Sequence, residues 1–229
     1  MKLLSLESIV SRAKERLSRP LRRSFSQFGE DVMLVALFDD SIGTYVDVGS
    51  GHPIHGSNTY AFYRRGWSGT LIDPILGNVQ LSQKYRPRDR CIWAICGDSK
   101  SPSLLYEYET YELSTISNSR VAILAEQGIT PVRCSEVKKI QLSDLALTAT
   151  PAEPALLSVD TEGSEFSILK SNDWNRFLPP VICVEEFGEP WNSRSDVHNL
   201  LGEHRYILRY RMGLSSIYIH KASSLHRKL

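Results

Sequence analysis

The chain has 229 residues, 41% of them apolar and 23% charged, the composition of a soluble globular protein with room for one α/β domain. A formal net charge of +1 excludes the strong basic excess of a dedicated nucleic-acid binder. No apolar run approaches the roughly 20 residues of a membrane-spanning helix.

Residues 1–24 form a segment distinct from the domain expected over 25–229. Seven basic residues (Lys2, Arg12, Lys14, Arg16, Arg19, Arg22 and Arg23) against Glu7 and Glu15 give this segment a local excess of +5. Leu3, Leu6, Ile9, Ala13 and Leu17 recur at helical spacing. The pattern predicts a basic amphipathic helix that packs on the domain or its partner, with weak contact to an anionic membrane surface as the other reading. Pro20 stops it.

A second helix is expected from near Ser26 through Phe38, and Thr44–Val48 reads as a short buried strand. A loop rich in Gly, Pro and His follows, then a helix over Ser57–Arg65 with Ser57 as its N-cap. Ser68–Asp73, Cys91–Cys96, Ala155–Asp160 and Val181–Glu185 read as further strands, with a helix over Ser164–Lys170. Arg205–Leu208 and Ser216–His220 close the sheet. Near-continuous apolar strands alternating with helices predict a doubly wound, mostly parallel sheet covered on both faces. Residues 99–139 are polar with few strand signals and are expected to be an insertion or lid. Cys91, Cys96, Cys134 and Cys183 show neither CxxC spacing nor a zinc pattern, and are expected to be reduced thiols of a cytoplasmic protein.

Ligands of such sheets bind outside the carboxyl ends of the strands. Four predicted strands end there in chemically useful residues: Gly49-Ser50-Gly51, Asp73, Asp160 and Glu185. Gly49 and Gly51 permit a sharp turn and a close approach to a ligand. A dinucleotide loop would carry a third glycine, but Pro53 and Ile54 stand there instead. Asp47, just before the turn, suits a cationic ligand better than a pyrophosphate. Asp73 lies 24 residues after Gly49, where a carboxylate accepts ribose hydroxyls. Asp98 lies where an adenine amino group would be met.

The motifs SQFGED (Ser26–Asp31), YVDVGSGHPIHGSNT (Tyr45–Thr59), GWSGTLIDP (Gly66–Pro74), LSTIS (Leu113–Ser117) and LLSVDTEGSEFSIL (Leu156–Leu169) resemble the FkbM family of methyltransferases over roughly residues 25–190. The resemblance implies a class I methyltransferase fold, a seven-stranded sheet with its last strand antiparallel. It further implies S-adenosylmethionine as cofactor and O-methylation of a hydroxyl on a sugar, glycan or natural product. Many relatives carry Glu where Asp73 stands. The resemblance also brings Asn58 to the cofactor, and Gln27 and Pro74 are expected to line the same pocket.

A hydroxyl acceptor needs a base or a metal. Asp160 and Glu162, two apart, share one side of an extended strand end. They are the leading candidates for base or, with Glu185, for ligands of a divalent cation such as magnesium. His52 and His55 are alternative bases. N-methylation of a small amine, a non-catalytic scaffold and a nicotinamide oxidoreductase stay open as other readings. The Asn/Asp-Pro-Pro-aromatic loop of many amino-methylating enzymes is absent after the Ala155–Asp160 strand.

Overall fold

The computed structural model describes residues 24–186 and 195–227. The basic segment expected to be helical lies outside the described residues. The strands are β1 (Thr44–Val48), β2 (Ser68–Asp73), β3 (Arg90–Trp93), β4 (Ile95–Cys96), β5 (Ser103–Glu107), β6 (Arg133–Val137), β7 (Lys139–Ile140), β8 (Ala155–Val159), β9 (Val181–Glu185), β10 (Tyr206–Met212) and β11 (Ser215–His220). The helices are α1 (Glu30–Phe38), α2 (Tyr60–Arg64), α3 (Leu76–Tyr85), α4 (Asn118–Glu126), α5 (Glu165–Lys170) and α6 (Asp196–Glu203).

Seven strands form one sheet in the order β3-β2-β1-β8-β9-β11-β10. β1 pairs in parallel with β2 and β8, β8 with β9, and β2 with β3. β11 runs antiparallel to both β9 and β10. This is an α/β doubly wound sheet of the class I methyltransferase type. No helix among the described residues is long and apolar enough to cross a membrane.

The period of two along each strand sorts side chains onto two cores. Val46, Val48, Ile72, Leu157, Ile182 and Val184 pack on one face with Ile168 and Leu169 of α5 and Val197 and Leu201 of α6. Tyr45, Leu71, Leu156, Val181 and Cys183 pack on the other with α1 and α2. There Trp67 is fully buried against Phe38 and Phe62, with ring centroids 5.0 and 4.7 Å away. Each such aromatic pair contributes about 0.5–1.5 kcal/mol beyond its buried area. The indole N–H donates to the Ser41 carbonyl, so no buried donor is left over.

The apolar run 91–96 is not one strand. Ala94 donates to the Asp73 carbonyl, and the next residue, Ile95, donates instead to the Lys138 carbonyl. The chain thus leaves β2 at Ala94 and joins β7, and the run divides into β3 and β4. Residues 99–139 hold more strand than their polarity suggests: β5 and β6 form an antiparallel hairpin with α4 between them. One side of this hairpin faces solvent, which explains its polar residues. The helix expected from Ser57 starts at Tyr60 with Thr59 as its N-cap. The Ser57 hydroxyl nevertheless accepts from the Tyr60 N–H.

Close packing of β1 on β2 depends on Gly69. A Cβ there would lie 2.0 Å from the Tyr45 carbonyl oxygen and 2.3 Å from its ring. Gly69→Ala is expected to cost at least about 2 kcal/mol in urea unfolding. Gly77→Ala, in open space within α3, is expected to stay level or gain up to about 1 kcal/mol.

Candidate cofactor and acceptor site

A cavity of about 470 Å³ opens at the carboxyl ends of β1, β2 and β8. Gln27, Gly49, Ser50, Gly51, His52, His55, Asp73, Pro74, Asp160 and Glu162 line it, so the structure brings these sequence-singled residues together. Tyr111 and Ser114 of the 99–139 stretch close its far side. A smaller hollow of about 160 Å³ adjoins it, sharing Gly49, Pro74, Ser114, Thr161 and Glu162. Its walls combine aliphatic side chains (Val48, Ile72, Ile95, Leu105 and Ile116) with polar ones (Thr115, Ser117 and Ser164).

Gly49 makes the cleft possible. It sits at φ +75°, and a Cβ there would lie 1.7 Å from the Asp160 carbonyl oxygen. The turn after β1 therefore runs directly against the end of β8, a path closed to any side chain. Asp73, 4% exposed, faces the same turn. One of its oxygens, Oδ1, accepts from the Ile75 N–H and the Asn78 amide; Oδ2 accepts from the Gly51 N–H at 2.7 Å. Oδ2 keeps one lone pair for a ligand in the cavity. Burial pushes this carboxyl up to about 6, although the Ile75, Gly51 and Asn78 bonds pull it down.

Asp47 departs from expectation, because it does not line the cavity. The pleat that points Val46 and Val48 to one face sends Asp47 to the other, where Thr59 donates to its Oδ2. Arg86, fully buried, donates to Thr59 Oγ1 at 2.9 Å, to Ser57 Oγ and to the Pro53 carbonyl. Its Nε meets Asp89 Oδ2 at 2.8 Å, and both side chains are fully buried. Asp89 also accepts from the Tyr45 hydroxyl and the Gly69 N–H. Arg86 thus ties the 52–59 loop to β1 and β2 from behind. Burial raises the Asp47 carboxyl, and the Arg86 charge opposes that rise. Nothing in the sequence singles out Arg86; its neighbours Arg88 and Arg90 make it read as surface. Asn58 is likewise turned inward, donating to Ser158 Oγ at 3.3 Å rather than reaching the cavity.

Asp160 and Glu185 end adjacent parallel strands, and an oxygen from each and from Glu162 lie within 4.8 Å of one another. Desolvation pushes both the Asp160 and Glu185 carboxyls up, and the Asp160 charge lifts Glu185 further. Glu185 is 5% exposed and does not line the cavity. Glu165, at the start of α5, is buried, and its Oε1 accepts from the Thr161 N–H and hydroxyl and from the Gly163 N–H. It fixes the 160–163 turn, in which Glu162 and Gly163 take positive φ.

His52 Nδ1 accepts from the Ile54 and His55 N–H groups, which leaves its ring proton on Nε2. Desolvation, then the neighbouring His55, lowers its pKa. His52 therefore carries its ring N–H on Nε2, and His55, exposed on the same loop, lines the cavity with it. Asp98 is exposed and does not line either cavity; its carbonyl accepts from Gln141. The break after β3 carries the chain away from the cleft before Asp98 is reached. Glu30 and Asp31 are structural: Glu30 accepts from Ser215 and the Phe28 N–H, and Asp31 from Ser24, Ser26 and the Phe25 N–H.

A family model described as a methyltransferase FkbM domain matches residues 43–211. No curated protein sequence matches the chain. Among solved structures, a TehB-like SAM-dependent methyltransferase from Corynebacterium glutamicum is similar at 10% identity and a TM-score of 0.44, covering 94% of this chain and 97% of that one. The 1,6-didemethyltoxoflavin-N1-methyltransferase of Burkholderia thailandensis, with bound 1,6-didemethyltoxoflavin and S-adenosylhomocysteine, is similar at 10% identity and 0.43, covering 96% and 90%. A putative caffeoyl-CoA O-methyltransferase from Staphylococcus aureus gives 9% and 0.44, covering 95% and 93%.

Arg86→Met leaves Asp89 and Asp47 buried without their cation and is expected to cost about 3–5 kcal/mol in urea unfolding, whereas an exposed-arginine loss costs under about 1 kcal/mol. A second expectation concerns pH. The folded ligand-free protein holds the Asp73 proton up to about pH 6, against a free value of 3.8. The stability contributed by Asp73 is therefore fully present below about pH 4 and lost as pH rises through about 6, by about 3 kcal/mol. Urea unfolding of wild type and Asp73→Ala at both pH values reads it: the advantage of wild type over the variant should shrink at the higher pH. An unchanged difference contradicts the raised carboxyl.

Proposed function

The chain belongs to the FkbM family of methyltransferases, and from that premise we propose that it moves a methyl group from S-adenosylmethionine to a hydroxyl oxygen of a sugar, glycan or natural product. The observation that carries the cofactor assignment is the chemistry of the cavity wall. Carboxylates of Asp73, Asp160 and Glu162 line it, and among the described residues no Lys or Arg does. Such a wall repels pyrophosphate and suits a ligand bearing a sulfonium and an ammonium without phosphate.

The protein side of the reaction follows from the positions already given. Asp73 Oδ2 accepts from a ribose hydroxyl. The Gly49–Gly51 turn lets the ligand approach backbone. The aliphatic side chains of the hollow beside it, Val48, Ile72, Ile95, Leu105 and Ile116, offer a surface for a flat base. S-adenosylmethionine, when bound, supplies an electrophilic methyl carbon. The gain then comes from holding an acceptor oxygen in line with that carbon. His55 or Asp160 takes the hydroxyl proton as the oxygen becomes nucleophilic. Oxygen is preferred over nitrogen as acceptor because Asp160-Thr161-Glu162-Gly163 stands where an amine-binding Asn/Asp-Pro-Pro-aromatic loop would be.

Calorimetry with S-adenosylhomocysteine tests the cofactor assignment. Binding at one molecule per chain is expected, weakened at least about tenfold in Asp73→Ala by loss of a charge-assisted bond. No binding by the wild type would sink the reading. Labelled methyl transfer to a panel of sugars and glycan extracts then tests the acceptor class, and transfer only to amines would overturn it.

A further inference from the structure

We propose that Asp160, Glu162 and Glu185 form a binding site for one divalent cation beside the cofactor cavity. Oxygen atoms from the three carboxylates lie within 4.8 Å of one another, a spacing that a hard cation with oxygen ligands can bridge. The topology makes this convergence. β8 and β9 are parallel neighbours, so Asp160 and Glu185 leave the sheet side by side, and the turn held by Glu165 brings Glu162 back towards them.

A second observation points to a ligand. Glu185 is 5% exposed, yet its Oε2 meets no donor group among the described residues, and the polar neighbour of the side chain is a second carboxyl, that of Asp160. A buried carboxylate oxygen left alone is costly and rare in folded proteins. The nearby cation, Arg120, approaches Glu162 at 3.9 Å with both side chains about a third exposed, and so meets the cluster from its solvent side. A metal ion answers the buried oxygen as well. Two of the ligands, Asp160 and Glu162, also line the cavity, so the remaining coordination positions face it. Magnesium, a hard cation that takes oxygen ligands and keeps waters, fits such a half-open set, and manganese is its spectroscopic stand-in. A hydroxyl bound to that ion would lose its proton more readily. This catalytic role rests on the methyltransferase reading, whereas the site itself does not.

The test uses the full chain, stripped with EDTA, dialysed, and titrated with manganese while free ion is followed by electron paramagnetic resonance. One manganese per chain, displaced by magnesium, is expected. Glu185→Gln should weaken manganese binding at least about tenfold and leave S-adenosylhomocysteine affinity unchanged, since Glu185 does not line the cavity. Should that buried variant fail to melt cooperatively, Glu162→Gln at the exposed edge should show the same loss. Absence of stoichiometric manganese in the wild type, or wild-type affinity in the folded variants, would overturn the site. Binding of manganese without S-adenosylhomocysteine would keep the cation site and remove the cofactor assignment instead.

Discussion

Burying carboxylates is costly, and this sheet places four of them on four adjacent strands. In the order β2-β1-β8-β9 they are Asp73, Asp47, Asp160 and Glu185, and desolvation raises every one. A fold under no other demand would put apolar groups there, as it does along the rest of the same strands. Three of the four have a support built around them, and Glu185 does not. Asp47 has Thr59 and, behind it, Arg86; Asp73 has three donors from the chain that follows β1 and β2; the turn after Asp160 has Glu165. The cofactor turn, the 52–59 loop and the start of α3 are shaped by these supports.

The division of labour between the two faces follows from the pleat. Asp47 and Ser158 point to the α1–α2 face, where they hold the loop carrying Asn58 and Thr59. Asp73 and Asp160 sit at or past strand ends and turn towards the cavity. Support and cavity lining thus come from neighbouring carboxylates of opposite orientation. The 99–139 stretch completes the cavity with Tyr111 and Ser114, so the wall most removed from the sheet is also the one free to vary in shape.

Much of the sheet is legible in the sequence because its strands are covered on both faces. Thr44–Val48, Ser68–Asp73 and Val181–Glu185 are short β-branched or apolar runs bounded mostly by Gly and Pro, and the structure places β1, β2 and β9 there. The division of 91–96 is not legible, since it depends on whether Ile95 finds its partner in β2 or in the distant Lys138. The β5–β6 hairpin escapes notice because a solvent-facing pair needs few apolar residues. In the site, residues at strand ends are found by position alone. Arg86 is not, because a buried arginine looks like a surface one until its four acceptors are assembled around it. Asp98 misleads for the converse reason, a suitable residue type carried out of reach by a local break.

The central claim is that the carboxyl ends of β1, β2 and β8 form one cleft for S-adenosylmethionine. A crystal structure of the chain with S-adenosylhomocysteine tests it most directly. The account predicts the ribose on Asp73, the base against Ile72 and Ile95, and the amino-acid portion over the Gly49–Gly51 turn. Ligand density elsewhere on the protein, or a ribose that makes no contact with Asp73, would contradict it.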